Sequence, residues 1–175
     1  MIVETERLTL RELCERDFDA LYKVLGDTDS MRYYPYVFDE TRVRSWISRN
    51  IDRYREFGFG LWAVCLKDSG ELIGDCGLTM QDINGHTKPE IGYHIRKDMQ
   101  RNGYGKEAAC AVRDWTFENT GFDQVYSYMP SANIPSQKTA ISYGCTHAET
   151  YTDEQIGSME VYSLSKEAWK SIIIK

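Results

Sequence analysis

Gln100-Arg101-Asn102-Gly103-Tyr104-Gly105-Lys106-Glu107-Ala108 is the stretch from which the rest of the chain can be read. Its two glycines let the backbone turn sharply and approach a ligand with no Cβ in the way. After Gly105 the apolar spacing becomes helical, with Ala108, Ala111, Val112 and Trp115 on one face and Gly121 as the stop. The first N–H groups of such a helix have no intrahelical acceptor and lie at the positive end of its dipole. A glycine turn feeding a helix start is therefore suited to an anion, above all a phosphate or pyrophosphate. Arg101 and Lys106 add positive charge.

Upstream of the glycines the texture is that of strands. Leu61–Leu66 and Leu72–Thr79 flank the turn residues Asp68-Ser69-Gly70 and predict a hairpin. Asn84-Gly85 falls in the next connection, and Glu90–Ile95 completes an antiparallel meander. Arg7–Arg11 alternates with period two, as a half-buried strand does. Phe18, Leu21, Tyr22 and Leu25 mark a helix opened at Asp17 and stopped at Gly26; Val43, Trp46, Ile47 and Ile51 mark a second, capped by Asp39 and ended by Gly58. Between them Arg32-Tyr33-Tyr34-Pro35-Tyr36 reads as an aromatic loop. Downstream, Gln124–Met129 is a strand, and strand–helix–strand around the glycine segment favours a parallel crossover. Pro135 opens a further helix that Gly144 closes, and Val161–Leu164 is a last strand before a short tail helix. The sum is an α+β fold, a mixed and mostly antiparallel sheet with helices on its faces.

The 175 residues suit one domain, 1–175, with a full core: a domain of this size buries about 70% of its unfolded surface. A net charge of −6, from 27 acidic against 21 basic side chains, speaks against a dedicated nucleic-acid binder, whose affinity rests on clustered Lys and Arg, and tolerates a cationic substrate. No apolar run reaches the roughly 20 residues of a membrane span, and the first residues lack the basic n-region of a signal peptide. Cys14, Cys65, Cys76, Cys110 and Cys145 form no CxxC pair, and with His86, His94 and His147 they show no zinc-type spacing, so no metal site is expected. They read as reduced thiols of a cytoplasmic protein.

Three ligands compete for the glycine segment. A Walker A loop needs wider glycine spacing followed by Lys-Ser or Lys-Thr, which Gly105-Lys106-Glu107 does not supply. Gly103, Gly105 and Ala108 do fit the dinucleotide pattern G-x-G-x-x-A, with Asp123 about 20 residues on. Against it, Arg96–Gln100 separates the glycines from their strand, and that strand belongs to a meander rather than to repeated parallel units. The third ligand comes from a resemblance. Gln100-x-x-Gly103-x-Gly105 resembles the acetyl-CoA loop, Q/R-x-x-G-x-G/A, of the GNAT (GCN5-related) N-acetyltransferases. Glu90-Ile91-Gly92-Tyr93, then Gly103–Ala108, Asn133-x-x-Ser136, Tyr143-Gly144-Cys145 and the opening Thr5–Arg11 are similar to the RimJ/RimL-like, ribosomal-protein-type branch over nearly the whole chain.

That resemblance implies a sheet splayed between its fourth and fifth strands, with helices on both faces, and acetyl-CoA as the acetyl-donor cosubstrate. It implies that the pantetheine arm pairs with backbone near Tyr93 and Ile95, that Gln100, Arg101, Asn102, Gly103, Tyr104, Gly105 and Lys106 take the pyrophosphate, and that Asn133 reaches the arm. Asn133 is also a natural helix N-cap. The partner is a primary amine, of a protein N-terminus or a small molecule, with no nucleic acid and no membrane; a monomer and a homodimer are equally open. A lysine-like amine is neutral in only about 0.04% of molecules at pH 7, against about 10% for an α-amine, so the first needs a base more. Glu90 is the leading base by resemblance and Asp75 the next, while Ser136 is the acid for the leaving thiolate. Many relatives use a tyrosine seven residues after the asparagine, but that position is Ala140 here and Tyr143 lies off its angle. Gly105-Lys106 replaces the branch's usual Ala-Thr. Tyr33, Tyr34, Tyr36 and Trp46 fall where the acceptor side runs. The rival of a different class is a non-catalytic acyl-CoA-binding module on the same fold.

Overall fold

The computed structural model describes residues 3–174. Its eight strands are β1 (Val3–Glu4), β2 (Leu8–Glu12), β3 (Leu61–Leu66), β4 (Leu72–Ile83), β5 (His86–Ile95), β6 (Gln124–Pro130), β7 (Thr146–Asp153) and β8 (Gly157–Ser165). The helices are α1 (Phe18–Leu25), α2 (Glu40–Phe57), α3 (Tyr104–Asn119), α4 (Ile134–Ser142) and α5 (Lys166–Ile173). The strands form one sheet in the order β1-β2-β3-β4-β5-β6-β8-β7, antiparallel throughout except where β5 meets β6. No helix among the described residues is long and apolar enough to cross a membrane.

The expected α+β class, parallel crossover and open, mixed sheet are all present, with four differences of detail. Asn84 and Gly85 both have positive φ, 52° and 75°, and form a two-residue turn that joins β4 and β5 directly into one long hairpin. The short β1 and the polar β7 were not foreseen; β7 is an edge strand whose exposed alternation carries no apolar signal. Counting β1, the expected splay between strands four and five falls between β5 and β6. Finally, α3 starts at Tyr104, so Gly105 is already helical while Gly103, at φ 84°, is the cap.

Each face of the sheet carries helices and its own core. Leu10, Trp62, Ile73, Leu78, Ile91, Val112 and Phe117 belong to the core that includes α3 and α5, where Trp62 and Trp115 meet edge to face at 4.8 Å. Leu21, Val24, Val43, Ile47 and Ala63 belong to the second, under α1 and α2. Asp39 caps α2 by accepting the Arg42 N–H, and Gly58 ends it in the left-handed conformation at φ 76°. Buried Asn50 donates to the Trp46 carbonyl and accepts the Leu61 N–H at 2.9 Å, which fixes the height of α2 over β3.

Two glycines of β4 permit close strand packing. A Cβ on Gly77 would lie 2.0 Å from the Gly60 carbonyl oxygen, and one on Gly74 2.0 Å from that of His94. Gly77→Ala should therefore cost at least about 2–3 kcal/mol of stability, because only backbone movement relieves the clash. A urea titration of the variant against wild type checks this.

Candidate active site

Pairing between β5 and β6 is confined to Glu90 with Tyr126. Past that point the Ser127 hydroxyl on β6 donates to the Ile91 carbonyl at 2.7 Å and contacts the buried Tyr143 hydroxyl at 2.6 Å. A side chain thus stands where a backbone N–H would, and the strands diverge. The gap opens into a groove of about 330 Å³ between the end of β5, the 96–103 loop and the start of α4. Tyr93, Ile95, Gln100, Arg101, Gly103, Tyr104, Gly105, Lys106, Asn133 and Ser136 all line it. Asn102 does not; its amide turns back to donate to the carbonyls of Met99 and Gln100 and so staples the loop.

Local chemistry explains the shape of the loop. Gln100 donates to the Ile95 carbonyl at 2.9 Å, tying the loop to the end of β5, so that both are committed to the scaffold through these atoms. Arg101, at φ 66°, and Gly103, at φ 84°, turn the chain into α3. The N–H groups of Tyr104, Gly105 and Lys106 then open the helix without intrahelical acceptors. A Cβ on Gly105 would sit 3.7 Å from Ile95 and Tyr93, ordinary contact that leaves the groove floor smooth. Behind the loop stands Arg7. It pairs with Glu107 at 2.6 Å, donates to the Asn102 carbonyl at 3.0 Å and lies 4.5 Å over the Tyr104 ring. These residues fit a pyrophosphate: the donors are backbone, the cap is left-handed, and flanking cations are present.

Across the groove Asn133 caps α4, accepting the Ser136 N–H at 3.2 Å. The Ser136 hydroxyl lies 3.0 Å from the Tyr93 hydroxyl, whose pKa burial pushes up to about 12 against the pull of Ser136. Tyr93 is therefore a neutral hydroxyl behind Ser136. Tyr143, by contrast, is buried in the core on Ser127, away from the groove.

The other face of β5 carries Glu90, Gly92 and His94. Glu90 is half-buried and accepts from the Thr79 hydroxyl at 3.1 Å. Burial pushes its pKa up to about 7, opposed by Thr79, His94 and Arg53. Its carboxylate leans over Gly92, where a Cβ would come within 2.9 Å of it. Asp75, fully buried, lies 2.7 Å from His94 Nδ1 and accepts from Trp46 Nε1 at 2.8 Å. Tyr34 packs on the His94 ring at 5.0 Å. His94, one of three scattered histidines with no motif around it in the sequence, thus joins the groove wall with Tyr33 and Tyr34. The signal was present in the strand register: Asp75 pairs with His94 across β4 and β5, on one face. Among the described residues no group of His, Cys, Asp and Glu is placed to hold a metal ion, and all five cysteines are free.

A family model described as an acetyltransferase (GNAT) domain matches residues 7–146. The uncharacterized protein YkkB of Bacillus subtilis is 33% identical over 147 residues, covering 83% of this chain and 86% of that one. An acetyltransferase structure from Agrobacterium tumefaciens superimposes with a TM-score of 0.80 at 26% identity, over 93% of this chain and 92% of that one. The fold is shared with RimL, a ribosomal L7/L12 α-N-protein acetyltransferase solved with coenzyme A, at a TM-score of 0.78 and 18% identity over 95% and 98% of the two chains.

The two loop glycines should respond differently to alanine. Gly103→Ala forces a Cβ into the left-handed region, 3.3 Å from Arg7, and should cost about 1–2 kcal/mol. Gly105→Ala places a good helix former in ordinary contact with Ile95 and Tyr93 at a helical position and should leave the melting temperature unchanged or raised. Thermal unfolding of both variants reads the contrast.

Proposed function

The chain belongs to the GNAT acetyltransferase family, and from that premise we propose that it is a single N-acetyltransferase domain that moves an acetyl group from acetyl-CoA to a primary amine by direct attack in a ternary complex. The observation that carries this reading is the splayed groove, where open β5 backbone, a helix N-terminus and the Tyr93–Ser136 hydroxyl pair converge. The repeated RimJ/RimL-like motifs support an acceptor of the N-terminal or small-amine class, and the free cysteines a reducing, cytoplasmic setting.

In this proposal bound acetyl-CoA supplies a thioester carbonyl that a neutral amine can attack. Tyr104, Gly105 and Lys106 hold its pyrophosphate by backbone N–H groups, with Arg101 and Lys106 adding charge, and Asn133 faces the arm while it caps α4. Ser136 offers its hydroxyl proton to the departing sulfur, with Tyr93 as the neutral partner behind it. Glu90 is the carboxylate that draws the ammonium and on which the amine's proton comes to rest. A carboxyl near pKa 7 is matched to that task at neutral pH.

Coenzyme A should raise the melting temperature by mass action on the folded state, and NAD should not. A shift with NAD alone would transfer the groove to a dinucleotide. With acetyl-CoA and a panel of an alanine-initiated peptide, spermidine and kanamycin, free thiol should be released with at least one acceptor; tight coenzyme A binding with no release would favour the non-catalytic module. Glu90→Gln should lower turnover by about 10²-fold at pH 7 with coenzyme A binding nearly intact, the deficit shrinking as pH nears the acceptor's pKa. Ser136→Ala should lower it less, since a thiol of pKa about 8.5 leaves well near neutrality.

A further inference from the structure

Asp75 and His94 are arranged as a positioned proton acceptor that the proposed roles of Glu90 and Ser136 leave unused. Asp75 has no exposed surface and spends both carboxylate oxygens on two partners, Trp46 Nε1–H at 2.8 Å and His94 Nδ1 at 2.7 Å. A carboxylate at Nδ1 keeps the proton of the neutral ring there and leaves Nε2 with its lone pair. The ring is confined by Tyr34 at 5.0 Å and by Trp46 edge-on at 5.9 Å, and its side chain retains 10% exposure, in the wall of the groove. Next to it on the same face Gly92 contributes no side chain, and the Glu90 carboxylate leans into the space over it. An amine drawn to that carboxylate from the groove would stand on its His94 side, between the imidazole and the carboxylate, near the level where β5 leaves β6.

We propose that His94 is a catalytic residue of this site, taking the acceptor's proton on Nε2 and passing it to Glu90 and solvent, with Asp75 and Trp46 as its positioning residues. The inference rests on the acetyltransferase reading and deepens it. The ammonium gives one proton to His94 and becomes a neutral amine. Its lone pair forms the C–N bond, and the C–S bond breaks with its electron pair on sulfur. The second N–H proton replaces the one that Ser136 delivers to sulfur, so the products are an amide and a thiol. The charged and titratable groups facing His94 are Asp75 from β4, Glu90 from its own strand and Tyr34 from the α1–α2 connection, with Arg49 and Arg53 of α2 beyond Trp46 and Glu90. Burial alone would lower the imidazole's pKa, but Asp75 together with Glu90 outweighs it and the net direction is upward. The neutral, proton-accepting form therefore gains population as pH rises above about 6.5.

The test uses the intact protein and two readouts. By NMR the His94 imidazole, identified by its loss in His94→Gln, should titrate above the ordinary imidazole value, and in Asp75→Asn it should titrate lower than in wild type, because burial is then opposed by Glu90 alone. In thiol release with the best acceptor of the panel, wild-type kcat/KM should rise with pH through that group. His94→Gln should lose that limb and about 10²-fold or more of the rate at pH 7, while keeping the coenzyme A thermal shift, which shows the groove still folded. Imidazole added to His94→Ala should restore part of the rate. A His94→Gln variant with wild-type rate and an unmoved pH limb overturns the relay and leaves Glu90 alone as base. If wild type releases no thiol with any acceptor, the acetyltransferase reading falls first and the relay with it.

Discussion

Everything at the candidate site depends on one interrupted pairing, the single register contact of Glu90 with Tyr126 between β5 and β6. Parallel strands ordinarily satisfy their backbones on both sides, and a buried N–H or C=O left without a partner is costly. Here the interruption is managed by side chains. Ser127 serves the Ile91 carbonyl and Gln100 the Ile95 carbonyl, at the two ends of the opening. What lies between, around Gly92 to His94, is free on the β6 side for a ligand. The Tyr93–Ser136 contact spans the opening and sets its width.

The two faces of β5 divide the work. Its odd residues, Ile91, Tyr93 and Ile95, face the core under α3 and the groove, while its even residues, Glu90, Gly92 and His94, face α2. One strand thus presents Tyr93 and Ile95 toward the glycine loop and Glu90 and His94 toward α2, with both Tyr93 and His94 reaching the groove, a consequence of the two-residue period of a strand. The α2 side is held by packing on the second core and by hydrogen bonds: Asn50 sets the helix over β3, and one turn earlier Trp46 reaches down to Asp75. The loop side is fixed by Arg7, which joins the N-terminal strand, the loop and the first turn of α3 in one contact set. That contact gives the opening Thr5–Arg11 segment a role beyond filling a sheet edge.

Much of this was legible in the chain. Helix limits at Asp39, Gly58 and Gly144, the strand–helix–strand crossover and the glycine turn all follow from local chemistry, because caps, turns and periodicity are set by near neighbours. The groove residues could be named together since they are contiguous in sequence or carried by linked motifs. Strand β7 was not legible: THAETYTD is polar, exposed and held by β8, so its extended form owes nothing to an apolar pattern. The Asn84-Gly85 turn was visible as a turn, but its two-residue hairpin geometry needed the register of ten paired positions on either side.

The sequence by itself determined the glycine turn into a helix start, most of the order of elements and most of the loop residues that line the groove, since each rests on spacings of a few residues. Only the tertiary structure decided what Asp75, His94 and Trp46 do. These three residues lie on β4, β5 and α2 and carry no common motif, and a lone aspartate, histidine or tryptophan has many uses. Their meeting is set by the β4–β5 register, which places Asp75 opposite His94, and by the Asn50 bonds that hold α2 above them. Long-range pairing of this kind is invisible to local propensity, because the groups acquire their partner, their burial and their proton affinity only when the sheet closes over them.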